Sequence, residues 1–153
     1  MIELSPTEIA QIVGGRLVAG PDAPSTVSGE VHTDSRKVVP GSIFFALPGE
    51  VTDGHLFVGN AVENGAALLI VERELDSLAA QIVVADGYDA LASLAREVVA
   101  RVRARGTLRV VAVTGSNGKT TTKNMLRAVL EGEGPTVAPW GSFNNHVGAP
   151  ISI

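Results

Sequence analysis

The stretch Val110-Val111-Ala112-Val113-Thr114-Gly115-Ser116-Asn117-Gly118-Lys119-Thr120-Thr121-Thr122 limits what this chain can fold into more than any other. Its four consecutive β-formers predict a buried strand, and the two glycines that follow permit a tight turn. Beyond Lys119 the apolar residues Met125, Leu126, Val129 and Leu130 recur as one face of a helix. Strand, glycine turn, lysine, hydroxyl residue and helix together predict a phosphate cradle, because unpaired N–H groups and the positive end of a helix attract anions. Gly115, Ser116, Asn117, Gly118, Lys119, Thr120 and Thr121 are therefore the candidate nucleotide-binding residues. Lys119, which brings a full charge to the terminal phosphates, is the candidate catalytic group, and Thr120 offers a hydroxyl to Mg²⁺. The general phosphate loop needs a glycine where Val113 stands, so the spacing is that of a shortened variant.

Composition narrows the partners. The chain has 153 residues, enough for one ordinary domain or two small ones, and with 45% hydrophobic and 18% charged residues it can build a core. A net charge of −4 argues against a basic nucleic-acid surface, so anions must be held by local devices such as this loop. With no cysteine there is neither a disulfide framework nor a thiolate metal site. No secretory signal precedes the first elements, and the longest apolar run, Ala66 to Val71, is far too short to span a membrane. A cytoplasmic protein without membrane insertion is expected.

In chain order, Ser5-Pro6-Thr7-Glu8 is a dense helix start with a capping serine, a proline at the first position and a glutamate that completes a capping box. Gly14-Gly15 should end that helix, with a strand from Arg16 to Ala19. Further strands are expected over Val27 to Thr33, Ser42 to Leu47, Ala66 to Val71 and Gln81 to Ala85, and a short helix carries Phe57, Ala61 and Val62. Alternating strands and short helices predict an α/β domain over residues 1–85. Phe44 and Phe45 alternate across their strand, so one should face the core and the other a ligand groove. Asp89 is read as the cap of the longest helix, whose apolar face is Leu91, Leu94, Ala95, Val98, Val99 and Val102. Arg101, Arg103 and Arg105 near its end complement the helix dipole on a solvated face. Residues 86–106 are taken as a connecting helix, and 107–153 as the opening of a parallel-sheet domain in which Thr136 to Ala138 pairs beside the loop strand.

Three segments point to one family. Thr33-Asp34-Ser35-Arg36, the run Pro40 to Gly49 and Asp53-Gly54-His55 are similar to the amino-terminal signature of the Mur ligases. The shortened loop resembles the same family and its folylpolyglutamate and cyanophycin relatives. Asn144-Asn145-His146-Val147-Gly148-Ala149-Pro150 resembles the branch that adds D-alanyl-D-alanine, whereas the sibling adding the third amino acid shares only the first two features.

The resemblance implies a cytoplasmic bacterial ligase of peptidoglycan-precursor synthesis. ATP activates a carboxylate as an acyl phosphate, and an amine then displaces the phosphate. The substrates implied are UDP-N-acetylmuramoyl-tripeptide and D-alanyl-D-alanine, with ATP and Mg²⁺ as cofactors. Residues 1–85 would hold the UDP-muramoyl peptide through Ser35, Arg36 and Phe45, Asn144 is a further substrate-binding candidate, and Asn145 would lie near the ATP phosphates. An Asp34–Arg36 structural ion pair is the rival reading of that segment, and His55 is expected to satisfy backbone groups rather than to catalyse. The family's acidic magnesium ligand, carbamylated lysine and third domain have no counterpart here. An amino-terminal piece of such a ligase is therefore expected, the alternative being a nucleotide-sugar-binding module without catalysis.

Overall fold

The computed structural model describes residues 2–21, 23–49, 52–106, 108–139 and 147–151. Its centre is a five-stranded sheet in the order β1-β5-β4-β3-β2, built from Arg16–Val18 (β1), Val31–His32 (β2), Ile43–Phe45 (β3), Leu68–Val71 (β4) and Gln81–Val83 (β5). Strands β2 to β5 run parallel, with His32 opposite Phe44 and Phe44 opposite Leu69, and β1 closes the far edge antiparallel to β5. The strands are shorter than the sequence predicts. Val27 makes only an isolated bridge to Leu4 and is not part of β2.

Helices cover both faces. On one lie Pro6–Val13 (α1) and Gly87–Arg105 (α3), whose Ile9, Leu91, Leu94 and Val98 pack with Ile43, Phe45, Leu68, Ile70 and Ile82. On the other lies Val58–Glu63 (α2), whose Val58 and Ala61 pack with Phe44, Leu69 and Val71. The period-two alternation of the strands feeds both cores, as expected for a parallel sheet covered on each side. Buried Gln81 is satisfied by the backbone of Leu75, donating to its carbonyl at 2.7 Å and accepting its N–H at 2.9 Å.

The capping box of α1 forms as the sequence predicts: Ser5 Oγ accepts the Glu8 N–H at 3.2 Å, and the Glu8 carboxylate accepts the Ser5 N–H at 2.9 Å. That backbone bond, and then the Ser5 hydroxyl, hold the Glu8 carboxyl below its ordinary range. The cap of α3 is Asp86 rather than Asp89; its carboxylate accepts the Asp89 N–H at 2.9 Å, which places Asp89 in the first turn. α3 also packs on the sheet. Its apolar stripe completes the core over α1, and Arg101 bonds Glu97 at 2.8 Å and Glu8 at 3.3 Å, an ion-pair role in place of an exposed dipole complement.

The larger correction lies downstream. Val110 to Val113 form no strand among the described residues, nor do Thr136 to Ala138, and Val110 and Val111 are 63% and 60% exposed. β-Forming side chains make a strand only when neighbouring strands complete the hydrogen bonds, and the described part of 108–139 offers only the helix Lys119–Leu130 (α4). A last short helix, Gly148–Ile151 (α5), lies against α3, with Val147 and Ile151 packed on the core that Leu91 and Leu94 help to form.

Candidate functional site

Two regions carry the candidate chemistry. The first is the start of α4. Gly115 and Gly118 take φ of 150° and 79°, conformations that side chains other than glycine rarely adopt, and they turn the chain into the helix. A Cβ on Gly118 would meet nothing within 4 Å, so the backbone angle rather than crowding calls for glycine. Among the described helices of eight residues or more, α1 and α3 are capped by side chains, Ser5 and Asp86, and α4 has no side-chain cap. Its first-turn N–H groups therefore face outward at the positive end of a twelve-residue helix, where an anion would satisfy them.

Lys119 folds back over this turn. Its ammonium donates to the carbonyl of Gly115 and approaches that of Ser116 at 3.4 Å. Loop and lysine thus form one compact unit, with Ser116, Asn117, Thr120 and Thr121 exposed around it. The described residues contain no cluster of three His, Asp or Glu suited to a metal. Thr120, next to the glycine turn, fits Mg²⁺ as a single hydroxyl ligand to an ion held mainly by phosphates and water, the usual arrangement for that metal. Asn144 and Asn145 lie outside the described residues.

The second region is the carboxyl-terminal edge of the parallel strands, where open α/β sheets bind ligands. Leaving β2, Asp34 caps a 3-10 turn over Ser35–Lys37. The Asp34 carboxylate accepts the Arg36 guanidinium through two bonds, from Nε at 2.9 Å and Nη2 at 2.8 Å. That charge-assisted pair pushes the Asp34 carboxyl down to about 2. Asp34 and Arg36 therefore do form an ion pair, yet the Arg36 side chain stays 85% exposed and keeps donors free for a ligand. Ser35 is buried, and its carbonyl accepts from Asn64 at 3.0 Å.

Phe45 does not line a groove. Phe44 and Phe45 are both fully buried, on opposite faces of the sheet, because helices cover both faces and neither ring meets solvent.

Leaving β3, residues 46–49, bridged to 52–54, lie at the same edge. His55, in the 3-10 turn Gly54–Phe57, has only 1% of its side chain exposed; its Nε2 accepts the Glu72 N–H at 2.9 Å. It serves backbone groups, as the sequence reading expects. The sequence gives no sign of its partners: Arg73 reaches Asp53 at 2.8 Å, and Glu72 accepts the Gly87 N–H at 2.8 Å. Only Asp53, two residues before His55, is a local signal, since Asp at that spacing caps a turn.

Comparison with known proteins covers the segments that carry both regions. Residues 29–105 match the Mur ligase family, catalytic domain, and residues 113–153 the Mur ligase middle domain. A UDP-N-acetylmuramoyl-tripeptide–D-alanyl-D-alanine ligase of Mycobacterium bovis is 41% identical over an alignment covering 100% of this chain and 34% of its own length. A crystal structure of MurF from Acinetobacter baumannii superposes with a TM-score of 0.81 at 36% identity, covering 99% of this chain and 33% of that one. A MurF ligase from Thermotoga maritima in complex with ADP gives 0.66 at 36% identity, over 81% and 28% of the two chains. The chain thus spans about a third of the length of the curated relatives it matches. The short glycine loop before α4, the sheet that carries Asp34-Ser35-Arg36 and matches across both segments agree: this chain belongs to the Mur ligase family.

Proposed function

We propose that the chain provides the substrate-binding domain and the first part of the ATP site of a bacterial cytoplasmic ligase. That ligase joins D-alanyl-D-alanine to UDP-N-acetylmuramoyl-tripeptide in peptidoglycan-precursor synthesis. The observation that carries this reading is the uncapped, glycine-turned start of α4, in a chain similar along its whole length to ligases of that name. In the first step a carboxylate oxygen of the tripeptide attacks the γ-phosphorus of ATP, and ADP leaves. The amine of D-alanyl-D-alanine then attacks the acyl carbon, an amide forms, and phosphate and a proton are released.

The demand on the protein is to neutralise the transferring phosphoryl group while two anionic reactants meet. The N–H groups at the start of α4 would hold the phosphates. Lys119 would exchange the Gly115 and Ser116 carbonyls for phosphate oxygens, and Thr120 would hold Mg²⁺, which supplies further charge neutralisation when bound. Residues 1–85 together with α3 would form the substrate domain, with Arg36 on the diphosphate and Ser35 as a nearby donor. Asn144 and Asn145 are assigned to the substrate and to ATP by similarity to the family alone.

The test is ADP release by the protein encoded in the complete gene, given UDP-N-acetylmuramoyl-tripeptide with and without D-alanyl-D-alanine. Release that depends on both, with formation of the pentapeptide product, is the expected result. Turnover only with the dipeptide precursor and a free diamino acid would move the protein to the sibling that adds the third residue. Saturable binding without turnover would leave a binding module.

A further inference from the structure

Residues 47–49 leave β3 beside the segment that carries Ser35 and Arg36, because β2 and β3 are neighbours with His32 opposite Phe44, and 52–54 pair back with them. This loop is pinned at several points. Pro48 and Asp53 form a bridge, and the Gly49 N–H reaches the Thr52 carbonyl at 2.9 Å. The Gly54 N–H reaches the Leu47 carbonyl at 2.9 Å, and a Cβ on Gly54 would stand 2.6 Å from that same oxygen, so only glycine fits there. From α3, the Tyr88 hydroxyl donates to the Pro48 carbonyl at 2.6 Å.

His55 joins this loop to the rest of the sheet edge. Because Nε2 accepts the Glu72 N–H, the ring proton sits on Nδ1, which donates to Asp53 at 2.6 Å. Asp53 also accepts the His55 N–H at 2.9 Å and the Arg73 guanidinium at 2.8 Å, and these bonds keep its carboxyl well below the ordinary range. Glu72, whose N–H the ring holds, in turn accepts the N–H of Gly87 at the start of α3. One buried imidazole therefore connects the loop after β3, the end of β4 and, through Glu72, the first turn of α3.

A burial requirement alone would be met by an apolar side chain. A ring with both nitrogens used and a carboxylate partner shared with Arg73 does something more specific: it fixes a loop in one geometry at the edge where a ligand would bind. We infer that His55, with Asp53 and Arg73, is a positioning clip that holds Leu47–Gly49 and Thr52–Gly54 as a preformed wall of the nucleotide-sugar site beside Arg36. This inference rests on the ligand class given above. The clip touches no reacting atom; it acts through the loop and spares the ligand the entropic cost of ordering it.

The test is calorimetric titration of the chain with UDP-N-acetylmuramoyl-tripeptide, well below the melting transition, so that only folded protein is compared. His55→Gln places an acceptor near Glu72 but loses Asp53, and His55→Asn keeps a donor for Asp53 but loses Glu72. Each should weaken binding by about tenfold, and Arg73→Ala, which removes a half-exposed partner, by about twofold. A merely structural histidine would lower the melting temperature and leave the dissociation constant unchanged, which would overturn the inference. Should both histidine variants fail to fold, Tyr88→Phe and Arg73→Ala decide it, because unchanged affinity in both overturns the clip. Saturable binding by the wild type with unaffected variants defeats the clip alone. No binding by the wild type defeats the ligand assignment, and the clip with it.

Discussion

The Arg36 guanidinium meets the Asp34 carboxylate through two nearly equal bonds, 2.9 Å from Nε and 2.8 Å from Nη2, while the same carboxylate accepts the Arg36 backbone N–H at 3.1 Å. A two-residue spacing thus orients a long, exposed cation from both its ends. This aim matters for acid stability as well as for binding. The bonds from Arg36 depress the Asp34 carboxyl from 3.8 to about 2. A depressed carboxyl contributes stability that is present above its unfolded value and is lost as pH falls through the folded one. Between about pH 4 and about pH 2 the melting temperature of the wild type should therefore fall more steeply than that of Asp34→Asn. The difference at neutral pH should stay below about 1 kcal/mol, because Arg36 is open to solvent. Thermal melts across that pH range decide it, and equal slopes would show that the pair is not maintained in solution.

Among the described residues, Lys119 bonds to its own loop, through the carbonyls of Gly115 and Ser116. Lys119→Ala should therefore leave the melting of the β1–β5 domain unchanged. In the protein from the complete gene it should abolish ATP-dependent product formation. Activity near wild type at saturating ATP would remove the loop from the mechanism.

Gly118→Ala separates backbone conformation from crowding. The new methyl has open space but sits at a φ of 79°, so its cost is the left-handed strain of about 1 kcal/mol, borne by the loop rather than the core. The expected outcome is several-fold weaker Mg-ATP binding in the complete protein, with an unchanged melting transition for the sheet. Circular dichroism and calorimetry report the two halves.

Met125 and Val129, one turn apart on α4, are 65% and 69% exposed, and Val110 and Val111 are also open to water. Apolar surface so displayed favours association. The 153-residue chain should sediment increasingly as dimer with concentration, and Met125→Lys with Val129→Lys should restore the monomer. A monomeric wild type at high concentration would contradict this. Calorimetry with Mg-ATP should also show poor affinity for this chain, because preorganised N–H groups need the loop's flanks fixed, and among the described residues Val110 to Val113 before it form no strand.

Much of the first domain is legible because its signals are local. Ser5, Pro6 and Glu8 specify the α1 start within four residues, and the Leu91-Leu94-Val98 spacing specifies α3. The Asp86 cap is missed because Asp89 offers an equivalent side chain three residues on, and only backbone geometry distinguishes them. Phe45 reads as a groove residue because alternation tells that the two rings face opposite ways, but not that α2 covers one face and α1 and α3 the other. The loop strand fails for a related reason, since a parallel strand is a property of its neighbours. The network around His55 is silent in sequence: Glu72 lies seventeen residues away, and nothing about Arg73 marks it as the partner of Asp53.

The packing of Val147 and Ile151 on the core beneath α3 has a consequence for how the chain comes apart. In sequence α4 lies between α3 and α5, and α5 rests on α3. The last described helix is thus a keystone of the first sheet's core, so that a change confined to Ile151 would be felt by a sheet whose strands all lie more than sixty residues earlier.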